Sequence, residues 1–574
     1  MTEASGGSEA ALPTAAHDGP NIAGALFRMA AERPDATAIH YPRGPRSAGL
    51  ARYEALTYRA LAADARRIAA GLASLGIGRG TRCALMVRPG PDFFALAFGL
   101  FHAGIVPVIV DPGIGARSLG ACLAEARPEA FIGIPAAHLA RLALGWGRAT
   151  ITRTVTVGPR LGWGGHTLEA VRRAGDAAPG WRPPEVADDE LAAVVFTSGS
   201  TGIPKGVAYT HGNFAAQVRM IREALQIAPG ELDLPTFPLF ALFDPALGMT
   251  TVLPKMDFTR PAEVDPREIL EPIRLFGVQT MFGSPALLDR VGRWAAPRGE
   301  RLPSLRRVMS AGAPVPTAVI ERFGTMLAPE ARIVTPYGAT EALPVAIIAH
   351  DEILRDTAAR TAAGAGVCVG RPVAGARVEI IAISDAPIEA WSDALRVEGQ
   401  AVGELVVGGP QVTRAYDGRA EATRLAKIRG EDGETLHRMG DLGWRDAEGR
   451  LWFCGRKSHR VVTKAGTLFT DPCEAPFNEH PDVRRSALVG VLRGGGTLPV
   501  LCVELEVHAR RRDHASLQRE LAAIAEAHAH TRAIRTFLVH PSFPVDIRHN
   551  SKIFREKLAI WAHEQPTLRA AGRV

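Results

Sequence analysis

The sequence predicts an α/β fold, in which a large N-terminal domain of parallel α/β sheets with a β subdomain is hinged to a small C-terminal α+β domain. Strand-like and helix-like stretches alternate over residues 22–110, which is typical of a parallel sheet. Four strand-like runs end in loops of small or polar residues, which begin at residues 197, 283, 311 and 336. Open α/β sheets bind ligands at such carboxyl ends, so these loops are expected to share one site.

The spacing of apolar residues places the individual elements. A helix is expected over residues 61–75, and strands over 82–87 and 106–110 flank a helix that ends near residue 102. Residues 145–189 are rich in Gly, Pro and Trp and predict an irregular connection. The elements expected after it are a strand at 191–196, a helix at 211–225, strands at 278–282, 306–310 and 332–335, and a β subdomain over 367–416.

The domain division follows from a change of pattern near residues 455–458. Beyond it, strands are expected at 486–491, 500–505 and 534–539, with a helix at 517–527. The first twenty residues are small and polar, so they are expected to form a disordered leader and lack the apolar core of a signal peptide. The predicted units are therefore a leader at 1–20, a large domain at 21–456 and a small mobile domain at 457–574.

Composition excludes several classes of protein. The chain has 574 residues, a net charge of +7 and 22% charged residues, which is ordinary for a globular protein. Its arginines are scattered and form no basic block with interleaved aromatics, so they indicate a solvated surface and anionic substrates rather than nucleic acid. The most apolar stretch, residues 93–110, is interrupted by Gly, His and Pro, which argues against a transmembrane segment. The six cysteines show no metal or disulfide spacing, which favours a reducing, cytoplasmic location.

The loop after the strand at 191–196 predicts a polyphosphate site. Its three glycines allow several N–H groups to point at one centre, and its hydroxyls and one lysine add donors and a positive charge. The residues concerned are Thr197, Ser198, Gly199, Ser200, Thr201, Gly202 and Lys205. The loop is not a Walker A motif, because Pro204 stands where the second glycine would be. The alternative is a flexible surface turn.

The later loops supply candidate partners for a nucleotide. Tyr337 could stack on a base, and the backbone of Gly312 and Ala313 could approach the edge of that base. Glu341, beside Thr340, could hold magnesium, which prefers carboxylate and phosphate oxygens, although a surface carboxylate is the alternative. Asp441 could accept hydrogen bonds from ribose hydroxyls, or could be an ordinary turn residue.

An aromatic stretch at residues 235–249 contains one charged residue, Asp244. It predicts either core packing or the wall of an apolar substrate pocket. The candidate pocket residues are Phe240, Phe243, Asp244, Phe282 and Gly283.

Five motifs, in this order, resemble those of the adenylate-forming superfamily of acyl-CoA synthetases, adenylation domains and luciferases. They are T-S-G-S-T-G-I-P-K-G from residue 197, T-P-Y-G-A-T-E from 335, H-R-M-G-D-L from 437, G-R-K from 455 and N-S-K-I from 550. The resemblance implies ATP and Mg²⁺ as cofactors, with residues 197–205 holding pyrophosphate and a small domain that rotates between half-reactions. It further implies that adenine is framed by Gly312, Ala313, Pro314, Tyr337 and Gly338. Phosphate and magnesium would be bound by Thr201, Thr340 and Glu341. Ribose would be held by Asp441 and Arg456, and Lys552 would bridge the substrate carboxylate and ATP.

Longer stretches, among them T-F-P-L-F-A-L-F-D-P-A-L-G-M from residue 236 and F-P-V-D-I-R-H-N-S-K-I from 543, resemble one branch of that superfamily. This branch forms β-lactones in bacterial long-chain olefin biosynthesis. The resemblance implies a 2-alkyl-3-hydroxyalkanoic acid as substrate, whose own 3-hydroxyl displaces AMP from an acyl-adenylate. It also implies possible assembly with other enzymes of the olefin pathway.

The chain departs from the superfamily pattern at two places. Ala241 stands where a His is common, and Ser458 replaces the usual hinge acid, followed by a segment about one residue longer than usual. These changes put a pantetheine channel in doubt and agree with a reaction that needs no external thiol. His459 and Asp244 are the candidate bases for the 3-hydroxyl. A long-chain acyl-CoA or acyl-carrier-protein ligase and a catalytically silent nucleotide- or nucleic-acid-binding protein remain as alternatives.

Overall fold

The computed structural model describes residues 21–44, 51–196, 204–545, 553–566 and 568. The predicted leader, the glycine- and hydroxyl-rich loop from Thr197 to Gly202, and Lys552 lie outside these ranges. Within the described residues, no helix combines the length and the apolar character that crossing a bilayer requires.

The strands, in chain order, are β1 (Thr37–Pro42), β2 (Tyr53–Thr57), β3 (Arg82–Met86), β4 (Val106–Ile109), β5 (Ala130–Gly133), β6 (Arg153–Thr156), β7 (His166–Thr167), β8 (Leu191–Phe196), β9 (Gly206–Thr210), β10 (Leu232–Pro235), β11 (Thr250–Val252), β12 (Thr280–Phe282), β13 (Arg307–Met309), β14 (Arg332–Ala339), β15 (Ala342–Ala349), β16 (Val367–Pro372), β17 (Arg377–Ile381), β18 (Gly403–Gly408), β19 (Ala415–Tyr416), β20 (Lys427–Arg429), β21 (Thr435–Arg445), β22 (Leu451–Arg456), β23 (Val461–Thr463), β24 (Gly466–Leu468), β25 (Val483–Arg493), β26 (Gly496–Leu505) and β27 (Thr536–Val539).

The α-helices, in chain order, are α1 (Ala23–Glu32), α2 (Tyr58–Ser74), α3 (Pro91–His102), α4 (Ala116–Ala126), α5 (Pro135–Leu144), α6 (Leu168–Asp176), α7 (His211–Leu225), α8 (Pro238–Ala241), α9 (Phe243–Leu247), α10 (Arg267–Phe276), α11 (Pro285–Ala295), α12 (Thr317–Gly324), α13 (His350–Glu352), α14 (Ala358–Ala362), α15 (Ala420–Ala426), α16 (Thr470–Asn478), α17 (His514–Ala527) and α18 (Arg555–Glu564).

Two large sheets form the N-terminal part of the molecule. In one, β3, β4, β5, β6 and β8 run parallel, in the strand order β19-β9-β8-β4-β3-β5-β6-β7. In the other, the parallel strands β11, β10, β12, β13 and β14 continue into antiparallel strands, in the order β17-β18-β21-β22-β16-β15-β14-β13-β12-β10-β11-β1-β2. Of the strands within the predicted β subdomain, β16, β17 and β18 extend this second sheet, whereas β19 pairs with β9 in the first.

The smaller C-terminal unit has its own sheet and core. Its strands β25 and β26 form a long antiparallel pair, and β27 joins β26 in parallel. Leu488, Leu501 and Phe477 pack with Leu517 and Leu521 of α17 in one of its buried clusters. The α/β fold predicted from the sequence, with a large N-terminal sheet domain and a smaller C-terminal one, is thus confirmed.

Two expectations about local structure were wrong. Residues 145–189 contain β6, β7 and α6 rather than an irregular connection. The helix α6 begins where the Thr167 side chain accepts a hydrogen bond from the Ala170 N–H. It packs so closely on α2 that a Cβ on Gly71 would lie 2.0 Å from the Val171 carbonyl oxygen. Its buried positions Leu168, Val171 and Gly175 follow a helical period, but the helix is short and the Gly-, Pro- and Trp-rich residues around it outweighed that signal.

The loop expected after residue 335 is also replaced by regular structure. The strand β14 continues to Ala339 because β15 folds back on it, pairing Thr335 with Ile348 and Tyr337 with Ala346. This pairing is tertiary and overrides the turn preference of the Pro-Tyr-Gly sequence.

Candidate active site

One cavity of about 2590 Å³ connects the carboxyl ends of the strands in the second sheet with the C-terminal unit. It brings together every described residue that the sequence assigned to nucleotide or phosphate. Those residues are Lys205, Gly312, Ala313, Pro314, Tyr337, Gly338, Thr340, Glu341, Asp441 and Arg456.

Asp441 is the acceptor at one end of this set. Neighbouring strands place it opposite Arg456, whose Nη1 donates to Asp441 Oδ1 at 2.5 Å. The Tyr337 hydroxyl donates to Asp441 Oδ2 at 2.6 Å. Burial and the Asp441 charge raise the pKa of Tyr337 well above its ordinary value, and Asp441 also raises the pKa of Arg456. The carboxylate is thus oriented by a phenol and a guanidinium that both stay protonated.

Glu341 and the residue before it are held by three side chains that the sequence did not single out. The Tyr416 hydroxyl donates to Glu341 Oε1 at 2.5 Å. The N–H and hydroxyl of Thr413 donate to the Glu341 carbonyl oxygen at 3.0 and 3.1 Å. The Tyr209 hydroxyl donates to the carbonyl of the preceding residue, Thr340. Both the backbone and the carboxylate of Glu341 are therefore fixed at the cavity wall.

Cations surround this carboxylate. The Lys205 ammonium lies 4.8 Å from the centre of the Tyr416 ring. Burial lowers its pKa, while the charge of Glu341 raises it. Lys427 lies behind this wall, where its ammonium donates to the Thr413 carbonyl. Because Lys427 is only 9% exposed, burial lowers its pKa to about 7. The positive charges near Glu341 suit an anionic ligand.

A buried hydroxyl marks the other end of the nucleotide region. Ser310, just beyond β13, is 1% exposed, and its Oγ forms no hydrogen bond with any described residue. The following loop turns at Gly312, which has a φ of +96° that L side chains rarely adopt. An unpartnered hydroxyl beside a small-residue loop fits the polar edge of a base.

The fit to magnesium depends on Glu341. Its Oε2 accepts no hydrogen bond from the described residues, so one hard oxygen ligand faces the cavity. Those residues contain no group of three or more His, Cys, Asp or Glu side chains that could hold a metal. A magnesium ion here would therefore take most of its ligands from phosphate and water, which is its usual preference.

Aromatic side chains form the wall next to this region. The ring centres of Phe240 and Phe282 are 4.6 Å apart, and those of Phe237 and Phe240 are 5.1 Å apart. Phe240, Phe282 and Phe243 line the cavity, in agreement with a pocket wall. Gly283 lies beside them, where its N–H donates to the Met309 carbonyl at 2.9 Å, and it is not one of the lining residues.

Two buried carboxyl groups also line this part of the cavity. Asp244, 4% exposed, accepts a hydrogen bond from Thr251 Oγ1 at 2.9 Å. Asp233 on β10 is 3% exposed and stands opposite Thr251, and its Oδ1 accepts no hydrogen bond from the described residues. Burial raises the pKa of both groups, and the charge of Asp244 raises that of Asp233 further. Asp233 was missed in the sequence, although a carboxylate at a buried position of a strand is itself an unusual signal.

The C-terminal unit contributes the last wall of the cavity. Arg555 donates to both carboxylate oxygens of Glu474, at 2.5 and 2.9 Å. His459 lies 3.3 Å from Glu556 Oε1, and its pKa is lowered to about 4 by burial and then by the charge of Arg555. Ile553, the residue after Lys552, pairs with Val545. These contacts fix both ends of the segment that carries Lys552.

Residues 457–460 join the two units and contact the second sheet and the loop that follows β17. Lys457 donates to Glu404 Oε2 at 3.1 Å and to the Ser384 carbonyl at 2.8 Å. Arg460 pairs with Asp385. Ser458 thus follows Lys457, which contacts the second sheet, and precedes His459, which contacts Glu556 of α18.

Comparison with known proteins then identifies the family. The family described as AMP-binding enzyme matches residues 26–417. The chain belongs to the AMP-binding enzyme family. Its adenylate-forming chemistry agrees with the cavity, in which an anchored carboxylate, several cations and a small-residue loop meet.

Two relatives match this AMP-binding enzyme over almost its whole length. It is 53% identical over 550 residues to the olefin beta-lactone synthetase of Xanthomonas campestris pv. campestris, covering 95% of this chain and 98% of the relative. It is 52% identical over 557 residues to the olefin beta-lactone synthetase of Stenotrophomonas maltophilia, covering 96% and 99%.

Solved structures of low sequence identity share the fold. The amide bond synthetase of Marinactinospora thermotolerans superimposes with a TM-score of 0.75 at 23% identity, covering 94% of this chain and 99% of that one. The o-succinylbenzoate coenzyme A synthetase of Bacillus subtilis, solved with ATP and magnesium, gives a TM-score of 0.70 at 20% identity, covering 93% and 98%.

Proposed function

We propose that this enzyme converts a 2-alkyl-3-hydroxyalkanoic acid into a β-lactone through an acyl-adenylate, releasing pyrophosphate and AMP. The observation that carries the proposal is the identity of more than half of all aligned residues, over nearly the full chain, to two enzymes named olefin beta-lactone synthetase. A large, partly apolar cavity that continues from the nucleotide region supports a long-chain acid as the substrate.

In the first half-reaction, a carboxylate oxygen of the substrate attacks the α-phosphorus of ATP, and the bond to pyrophosphate breaks. Two anions must approach each other, so positive charge is required around them. Lys205 and Arg456 supply it from the large domain, and Lys552 is assigned the bridging position between carboxylate and ATP. Glu341 and Thr201 would hold magnesium, which neutralises phosphate charge when it is bound. Asp441 would accept the ribose hydroxyls, and the Gly312–Pro314 loop, Tyr337 and Gly338 would frame adenine.

In the second half-reaction, the 3-hydroxyl oxygen attacks the acyl carbonyl carbon, the bond to the AMP oxygen breaks, and the hydroxyl proton leaves. The attack is intramolecular, so its effective concentration is on the order of 10⁵ M or more when the groups are well oriented. Closing a strained four-membered ring uses up much of this advantage. The cavity must therefore fold the substrate so that the hydroxyl faces the carbonyl.

The Asp233–Asp244 pair is the acceptor that we assign to the hydroxyl proton. Burial raises the pKa of Asp244 to about 8 and that of Asp233 well above its ordinary value, so each group holds a proton more tightly than an exposed aspartate. When one member of the pair is ionised, it can receive a hydrogen bond from a hydroxyl and then its proton. His459 is the alternative acceptor, because its lowered pKa keeps it neutral at pH 7.

An acyl-CoA or acyl-carrier-protein ligase shares the first half-reaction and is the second candidate. A product analysis separates the two. The enzyme is incubated with ATP, magnesium and a synthetic 2-alkyl-3-hydroxy fatty acid, with and without coenzyme A, and the products are followed by NMR. A β-lactone and AMP are expected without coenzyme A. A thioester that forms only with coenzyme A would overturn the proposal.

We also infer a cytoplasmic enzyme that works beside other olefin-pathway enzymes. All six cysteines are buried free thiols, which fits a reducing compartment. Co-purification of the full-length enzyme with the neighbouring pathway enzymes is the direct test, and separate elution at physiological salt would contradict the assembly.

A further inference from the structure

The helix α5 and the segment after it form one side of the cavity and also an outer surface of the protein. Ala137 and Ala140 of α5 line the cavity, together with Trp146. The opposite face of this helix is turned to solvent, since residues 136, 139 and 142–144 are exposed. This element thus separates the substrate region from solvent.

The outer surface of this element is apolar. Leu139, Leu142, Leu144 and Leu161 are 53%, 52%, 54% and 63% exposed. They are four of the eleven large apolar side chains that are exposed in the described part of the chain, and the other seven are scattered from residue 275 to residue 560. Scattered exposed leucines are ordinary, whereas a group within one short span indicates a contact surface.

Contacts between α5 and the loop at residues 158–165 hold the loop that carries the exposed Leu161 close to this helix. The ring of Trp163 in this loop stacks on His138 of α5, with ring centres 5.3 Å apart. The Trp163 Nε1 also donates to Thr156 Oγ1 at 3.0 Å. The loop is therefore fixed against the helix.

The charged side chains within this span are all arginines, and the exposed Glu129 lies next to them, since its carbonyl accepts a hydrogen bond from the Arg153 N–H at 3.2 Å. Residues 130–168 contain four arginines and no Asp or Glu. Arg148, Arg153 and Arg160 are exposed, and none of the four forms an ion pair with a described residue. Elsewhere in the described chain, arginines are commonly paired, as Arg172 is with Asp64 and Asp92.

We propose that this leucine–arginine surface, formed by Leu139, Leu142, Leu144, Leu161, Arg148, Arg153 and Arg160, docks the enzyme on an anionic lipid bilayer. Exposed leucines enter the interface of a bilayer, and arginines beside them attract anionic headgroups. A nucleic acid would leave the leucines in water, so the combination favours lipid. Docking would place α5 between the membrane and the cavity, where a long-chain acid could enter. The entry of a long-chain acid from the membrane rests on the proposed function, whereas binding to the bilayer does not.

The test is co-sedimentation of the full-length enzyme, without ATP or substrate, with vesicles. Phosphatidylcholine vesicles with and without phosphatidylglycerol are compared at low and high salt. Binding is expected on the anionic vesicles and should weaken with salt, because exposed charges are screened. Each arginine near an anionic bilayer raises the binding affinity about fivefold. The double variant Arg148→Glu with Arg153→Glu is therefore expected to bind about twenty-five-fold more weakly, and repulsion by the new glutamates should weaken binding further.

The leucines are tested separately by Leu139→Ser with Leu142→Ser, which should also weaken binding at least tenfold. Leu492→Ser is the matched control, because Leu492 is 78% exposed on a distant hairpin. ATP-dependent turnover of a short, soluble hydroxy acid should be unchanged in all three variants. No binding to anionic vesicles, or equal loss in the control, would overturn the proposal. Dissociation of an oligomer by the leucine variants, with vesicle binding intact, would assign the surface to a protein contact instead.

Discussion

At the scale of single residues, Asp441 accepts hydrogen bonds from Tyr337 and Arg456, and these orient it for its predicted contact with ribose. Asp441→Asn keeps the shape but removes the charge between Tyr337 and Arg456. Hydrogen bonds to charged groups contribute about 1.5–3 kcal/mol, so the KM for ATP is expected to rise by about ten- to a hundredfold. Tyr337→Phe, which removes one donor and keeps the carboxylate, should have a smaller effect. An unchanged KM for ATP in Asp441→Asn would remove this residue from the nucleotide site.

Glu341 is the residue on which the dependence on magnesium is expected to rest. Glu341→Gln removes the charge that would bind the cation, so the concentration of magnesium at half-maximal activity should rise. Tyr416→Phe is the matched control, because it removes the 2.5 Å hydrogen bond to Oε1 and keeps the carboxylate. A magnesium titration identical to that of the unaltered enzyme would contradict the assignment.

Asp233 and Asp244 are expected to act after the adenylate has formed. In Asp244→Asn, release of pyrophosphate in a single turnover should persist, while β-lactone formation slows by about a hundredfold, the usual contribution of a general base. Asp233→Asn should behave in the same way, because the two carboxyl groups are buried together and the charge of Asp244 acts on Asp233. Loss of the lactone in His459→Ala, with both aspartate variants active, would transfer the role to His459.

The polar residues of the site were predictable where a motif carried them. Tyr337, Glu341, Asp441 and Arg456 lie in short ordered motifs, and the cavity brings them together. Tyr416, Thr413 and Lys427 were not predictable, because they act through hydrogen bonds to the carbonyl or carboxylate of residues that are distant in the chain. Such contacts are set by tertiary pairing and leave no periodic signal in the sequence.

At the scale of elements, the segment that carries Lys552 is anchored at both ends. Ile553 pairs with Val545, and Arg555 at the start of α18 is bound to Glu474 of α16. Lys552→Ala is expected to abolish adenylate formation and leave ATP binding largely intact, since the residues proposed to hold adenine and ribose belong to the large domain. Pyrophosphate release measures the first property and equilibrium dialysis of ATP the second. Lys557→Ala, an exposed lysine on α18, is the matched control, and release of pyrophosphate at the normal rate from Lys552→Ala would refute its role.

Elements with a clear apolar period were predicted within a few residues of their bounds. The helix α7 was expected at residues 211–225 and is found there, with Thr210 and Asn213 forming a capping box. By contrast, α6 depends on close glycine contacts with α2, and the end of β14 depends on β15. The end of β14 has no local signature, whereas α6 has an N-cap at Thr167 and a helical apolar period that is short and easily overlooked.

At the scale of the whole molecule, Lys427 links the stability of the large domain to pH. Its pKa in the folded protein is about 7, against an ordinary value of 10.5. Between these values the unfolded chain binds one proton more than the folded protein, so this residue makes the free energy of unfolding rise with pH. Below pH 7 both states are protonated, and the cost of burying the charge is present in full.

Lys427→Met removes the buried charge and therefore its pH dependence. Relative to the unaltered enzyme, the variant should be most stable near pH 6, and its advantage should shrink as pH rises above 7, by at most about 1.4 kcal/mol per pH unit. The lost hydrogen bond to Thr413 shifts this difference by a nearly constant amount. Urea unfolding of the large domain from pH 6 to pH 9 measures it, with Lys255→Met at an exposed position as the control. A difference between Lys427→Met and the unaltered enzyme that stays constant over this range would show that Lys427 keeps its ordinary pKa in the folded protein.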